Sequence, residues 1–190
     1  MDIAGAVRFS SALRRARTGS AMRGLTSDLA EGLARRARRP YDARELCRAL
    51  CEEMTARRSG RRVEVRFERF PDEIEVTGLW VEFHDFDLVI VEERAEEVQQ
   101  LVILGHELWH LHARHRHRHA AVDALSGWED VPLTAAARDG SRQVDEAEAD
   151  DFGHRLAAAV RAYLRPVGGE FGPVTAQRLL GYPGRGSRGR

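Results

Sequence analysis

Lysine is absent from this chain: all 30 basic residues are arginine, and 30 acids bring the net charge to zero. Exclusive use of one basic residue reads as a GC-rich, bacterial coding bias before it reads as chemistry. Cysteine is scarce. Cys47 and Cys51 are too few for a disulfide framework, and their i,i+4 spacing suits two small buried hydrophobes on one helix face. No apolar run approaches the roughly 18–20 residues that a membrane span needs. Arg8 interrupts the one apolar stretch near the start, so no secretory segment is legible. The expectation is a cytoplasmic protein with no membrane partner.

Aromatic residues are also few, 7% of the chain. This matters because the charge is unevenly spread. Residues 1–70 hold 17 arginines against 9 acids, residues 71–100 hold 1 against 10, and residues 152–190 hold 7 against 1. Basic ends attract nucleic acid. Without interleaved aromatics or a DNA-reading motif they read as solvated ends, and no direct nucleic-acid partner is expected.

What is present is enough for one core, with 43% apolar and 32% charged residues. Residues 1–21 read as a flexible leader, 22–180 as a single domain and 181–190 as a disordered tail. An amphipathic helix is expected from a Ser27 N-cap to Pro40, and a second from about Asp42 to Arg57, stopped by Ser59-Gly60. The period then changes to alternation. RRVEVRFERF, Val76–Phe83 and Phe86–Val91 read as three strands, the last two joined tightly around His84-Asp85. A longer, largely buried helix follows from Glu93 or Arg94 to Ala113. After it come a His/Arg run (His115 to His119), a loop through Ser126-Gly127 and Asp139-Gly140, and a helix from Val144 to Leu164. That last helix carries Phe152, Leu156, Val160 and Leu164 on one face. Pro166 breaks it, and TAQRLLGY reads as a closing turn. The expected fold is α+β: a small, mostly antiparallel three-stranded sheet packed against two later helices, with N-terminal helices beside it.

The chemistry is concentrated in His106-Glu107-Leu108-Trp109-His110. On a helix, His106 and His110 project from one face. An adjacent glutamate makes the H-E-x-x-H arrangement, in which imidazoles hold zinc and the carboxylate activates water. Imidazoles in a buried apolar segment are costly unless something satisfies them. A catalytic zinc needs a third protein ligand. The scheme H-E-x-x-H-x-x-G-x-x-H fails here, because Ala113 stands at the glycine position and Arg116 at the last histidine position. On an unbroken helix His117 lies about 10 Å past His110, out of reach. The other scheme takes a carboxylate from a second helix. In Asp145-Glu146-Ala147-Glu148-Ala149-Asp150, the i,i+4 pair Glu146 and Asp150 offers one group to a metal and the other to the outer N–H of a ligand imidazole. Ala147 and Ala149 leave room for close helix packing.

HELWHLH followed by EAEADDFG resembles the ImmA/IrrE family of bacterial metallopeptidases, over about residues 60–165. The resemblance implies a zincin-like domain in which Zn2+ is held by His106, His110 and Glu146. It also implies that Glu107 is the general base and Asp150 a partner of a ligand histidine, His106 first. The activity implied is zinc-dependent endopeptidase cleavage of a partner regulatory protein, a helix-turn-helix repressor or an antitoxin. The alternative is a zinc-containing regulator or toxin component that binds its partner without cutting it. His84, His112, His154 and Tyr163 are candidates for steadying an oxyanion. The chain departs from the family pattern twice. Trp109 replaces a glycine and is expected to pack into the core, and Gly153 replaces an alanine.

Overall fold

The computed structural model describes residues 3–38, 42–72, 76–115 and 142–164, with side chains for those from residue 12 onward except Arg142. The fold is α+β. The first helix, α1 (Ile3–Arg35), runs through the expected leader and past Ser27 without a break. Ser27 is no N-cap; its hydroxyl donates to Glu31 at 3.1 Å. The physical reason is that no proline precedes Pro40, so nothing stops the helix from growing towards its N-terminus. Its C-terminal half is anchored by Met22, Leu25, Leu29 and Leu33, all at most 2% exposed. Burying each is worth about 1.5–3 kcal/mol.

α2 (Ala43–Arg57) begins where the side chain of Asp42 accepts the backbone N–H of Glu45 at 2.7 Å, an N-cap that satisfies one of the helix's orphan donors. It ends at Ser59 and Gly60, both at positive φ. Cys47 and Cys51 are buried on its inner face, and burial pushes the Cys47 thiol up to about 12. Neither is a nucleophile near neutral pH.

The strands are β1 (Arg62–Glu68), β2 (Gly78–Glu82) and β3 (Phe86–Glu92), in the order β1-β3-β2. β1 lies parallel to β3 with Val65 opposite Val89, and β2 lies antiparallel with Trp80 opposite Val89. The sheet is therefore mixed, not mostly antiparallel. Alternation in β1 identifies a strand but not its neighbour; the chain after β1 passes to the far side of β3 before entering β2. β3 is central and buried from Asp87 to Glu92, which explains its unbroken apolar run. Val89 and Val91 face the main core with α2 and the third helix. Leu88 and Ile90 face a smaller cluster with Phe70, Leu79 and Val81.

Asp87 is fully buried, and its carboxyl is held on all sides. Arg61 holds it at 2.8 Å, Arg58 at 3.1 Å, and the indole N–H of Trp80 donates to it at 3.2 Å. The Arg61 guanidinium also donates to the carbonyls of Phe83, His84 and Phe86, which fastens the β2–β3 turn.

α3 (Glu97–Ala113) starts later than the expected Glu93 or Arg94. Residues 92–94 are held elsewhere: Arg94 folds back onto Glu92 at 2.9 Å, and Glu92 also accepts the backbone N–H of Phe70 at 3.1 Å. α3 ends at Arg114 in a left-handed conformation (φ 59°), with the N–H of His115 donating to the carbonyl of His110 at 2.9 Å. α4 (Arg142–Val160) continues into a 3-10 turn at Arg161–Tyr163. Phe152, Leu156 and Val160 are fully buried against α3 and α1, and Leu164 packs half-buried beside them. Among the described residues no helix is long and apolar enough to cross a membrane. His117 and His119, the expected loop through Ser126-Gly127, the break at Pro166, TAQRLLGY and the tail 181–190 lie outside the described residues.

Candidate metal centre

The site is made where α3 and α4 cross, and two glycines set how closely they do so. A Cβ placed on Gly153 would come within 2.5 Å of the Val102 carbonyl and 3.2 Å of the His106 nitrogen; one on Gly105 would come within 2.8 Å of the Gly153 Cα. Backbone thus lies on backbone at the level of His106. Ala149 is buried in the same seam, whereas Ala147 is exposed and contributes no packing there. Of the two alanines expected to admit the second helix, one does so. The glycines were the missed signal, since a glycine inside a helical pattern marks close approach.

This crossing brings His106, His110 and Glu146 together, with ligand atoms within 4.8 Å of one another. The two Nε2 atoms are 2.9 Å apart, and Glu146 Oε2 lies 3.4 Å from His106 Nε2 and 3.7 Å from His110 Nε2. Ligand atoms 2.0–2.1 Å from a common tetrahedral centre sit roughly 3.4 Å apart. The three separations fall around that value, so the donors fit one small metal ion. On its other side His106 donates its Nδ1–H to Asp150 Oδ1 at 2.9 Å. That bond sets the tautomer, leaving the Nε2 lone pair aimed at the shared centre.

The neighbouring carboxylates and burial set the charge of each group. Burial disfavours a charged His106, but hydrogen bonding to Glu146 and the nearby Glu107 and Asp150 outweigh it, and its pKa is raised. The His106 and His110 imidazoles, 3.4 and 3.7 Å away, hold the Glu146 carboxyl far below the usual carboxylate range. Glu107 behaves in the opposite way. Burial, helped by the Glu146 charge, pushes its carboxyl up to about 7, against the pull of His106 and a hydrogen bond from the Trp80 backbone.

A cleft of about 250 Å3 opens over the group, lined by Val76, Thr77, Gly78, Gln99, Val102 and Ile103 together with His106, Glu107, Glu146 and Asp150. Gly78 is there for a steric reason: a Cβ would meet Ile103 at 2.5 Å and the Glu107 carboxylate at 2.9 Å. β2 can therefore run directly past Glu107. The role of β2 was not legible in the sequence, because it rests on a backbone N–H and a missing side chain.

Comparison with family models, curated proteins and solved structures returns no match.

The remaining candidates sit elsewhere. His84 is exposed at the β2–β3 turn, 2.5 Å from Asp85. His112 lies against Trp109, its pKa lowered by burial and by Arg57 and Arg58. His154 is exposed on α4, and the Tyr163 hydroxyl donates to the Ala30 carbonyl at 3.4 Å. None of the four lines the cleft. Trp109 is buried and stacks on Phe152 with ring centres 5.1 Å apart, so it packs the α3–α4 seam and leaves the cleft open.

Proposed function

We propose that this chain is a zinc-dependent endopeptidase of the ImmA/IrrE kind, with a zincin-like arrangement, that cuts a partner regulatory protein such as a helix-turn-helix repressor or an antitoxin. The observation that carries the reading is the convergence of two imidazole nitrogens and one carboxylate oxygen at 2.9–3.7 Å, with a buried glutamate beside them. An N2O donor set from two helices, with room for a fourth group in the cleft, matches a catalytic zinc site. His106, His110 and Glu146 would hold the ion. Bound zinc supplies Lewis acidity, which acidifies water and polarises a carbonyl.

The chain's own residues supply the rest. Asp150 keeps His106 in the ligating tautomer. Glu107, buried beside the imidazoles, takes a proton from the attacking water and passes it to the leaving amine. The Trp80 backbone N–H and the absent side chain at Gly78 hold the Glu107 carboxylate in place. Among the described residues β2 is an edge strand, and the chain entering it lines the cleft. An extended polypeptide can add along that edge, which favours a protein substrate over a small molecule. Val76, Val102 and Ile103 make the cleft apolar at the point where a substrate side chain would enter.

Glu107→Gln is the deciding variant. It should retain zinc and lose cleavage of a co-purified partner protein, followed as fragments by mass spectrometry. Cleavage that persists would refute the proton-transfer role. A wild-type protein that holds zinc and its partner but never cuts it would leave the binding-only regulator as the reading.

A further inference from the structure

A second cluster lies beside the first and shares none of its ligands. We infer that His115, Asp145 and Glu148 form a second divalent-cation site, one that clamps the end of α3 to the first turns of α4. Their ligand atoms all lie within 4.8 Å of one another, and His115 Nε2 is 3.7 Å from Asp145 Oδ1. The three side chains are 15%, 14% and 18% exposed, so this is no open patch of surface acid. An imidazole and two carboxylates are a donor set suited to zinc or a similar divalent ion.

An acidic first turn that complements the dipole of α4 explains the two carboxylates. It does not explain why a histidine just past the end of α3 is turned onto them. The left-handed backbone at Arg114 reverses the chain and delivers His115 to α4. The other partners of Glu148 are weak: Thr18 Oγ1 at 3.5 Å and Arg14 at 3.8 Å, the latter 55% exposed. Contacts of that length leave a part-buried carboxylate poorly compensated, and a cation between it and Asp145 would correct this.

The position gives the ion a purpose. Asp145 adjoins Glu146, and the His110 and His115 rings are 5.5 Å apart. The sequence between His115 and Asp145 spans residues 116–144, so a bond between these ends closes that whole segment. A cation here would hold Glu146 in reach of His106 and His110 without touching the substrate.

The test uses the full chain, stripped with chelator, reloaded in buffered zinc and assayed for bound metal, with circular dichroism confirming the fold. Wild type should hold two zinc ions. Glu148→Gln and the milder His115→Gln should each hold one and melt at a lower temperature, and His106→Ala should hold one through the second site alone. Three results would overturn the proposal. Wild type and Glu148→Gln could both hold one, making the cluster an ordinary ion-pair network. His106→Ala could hold none. The second ion could survive in Glu148→Gln and His115→Gln but vanish in a His117→Ala/His119→Ala double variant, placing it in the His/Arg run. Failure of the first centre shows separately, as a His106→Ala protein with the same zinc content as wild type.

Discussion

Gly153→Ala tests whether the α3–α4 seam sets the site. The added Cβ would lie 2.5 Å from the Val102 carbonyl oxygen and 3.2 Å from the His106 nitrogen. Ordinary van der Waals contact is at about 3.5 Å, so α4 must retreat by roughly 1 Å, because backbone atoms cannot rotate aside. Overpacking of this sort costs about 3 kcal/mol at the upper end. Alanine returns about 1 kcal/mol through its better helix propensity, so a net loss of about 2 kcal/mol remains. For a chain of this size that lowers the Tm by about 4–8 °C. The same retreat carries Glu146 Oε2 beyond its present 3.4 and 3.7 Å from the imidazoles, and zinc affinity should fall about 10–100-fold, the range typical of a displaced support. Differential scanning calorimetry and competition against a zinc chelator read both effects. Gly24→Ala is the control, since an added Cβ there meets nothing within 4 Å; it should stabilise by about 0.5–1 kcal/mol. If both variants raise the Tm alike and bind zinc like wild type, the close-approach reasoning is wrong.

Asp150→Asn should weaken zinc binding about 10–100-fold with little change in Tm, because the lost charge is exposed while the lost orientation of His106 is local; equilibrium dialysis reads the first and calorimetry the second. Asp87→Ala should cost about 3–5 kcal/mol in urea unfolding, since it strands Arg58 and Arg61 around an empty buried position. Glu92 gives a pH signature. The hydrogen-bonded Arg94 depresses its folded pKa from 4.5 to about 2, so its contribution is complete above 4.5 and is lost as pH falls towards 2. Discounted for the exposure of Arg94, it is about 1–2 kcal/mol. Glu92→Gln should therefore be less stable than wild type at pH 7, with the gap closing towards pH 2.

Much of the fold and half of the site were legible in the residues alone. The H-E-x-x-H spacing placed His106 and His110 on one face, because helical periodicity is a local property. The i,i+4 pair Glu146 and Asp150 marked, for the same reason, the turn of α4 that the structure places against His106. Alternation found β1, turn-bounded apolar runs found β2 and β3, and the Ser59-Gly60 stop closed α2 where a positive φ was needed. Local rules failed where the outcome depended on a remote partner. Ser27 looked like an N-cap, yet nothing upstream stopped α1. Glu93 or Arg94 looked like the start of α3, yet ion pairs of Arg94 with Glu92 and Asp72, and hydrogen bonds to the Phe70 backbone, hold this stretch out of the helix.

Only the tertiary structure decided which partners meet. That β1 runs parallel to β3 follows from how the chain crosses the sheet, which alternation cannot encode. Whether Glu146 reaches the imidazoles depends on how closely α3 approaches α4, and that is governed by Gly105 and Gly153, residues whose contribution is an absence of atoms. The orientation of Glu107 rests on the Trp80 backbone N–H and on Gly78, which no side-chain pattern advertises. The candidate ligands are legible along the chain because helix geometry is short-ranged. Their convergence is not, because it depends on contacts between segments far apart in sequence.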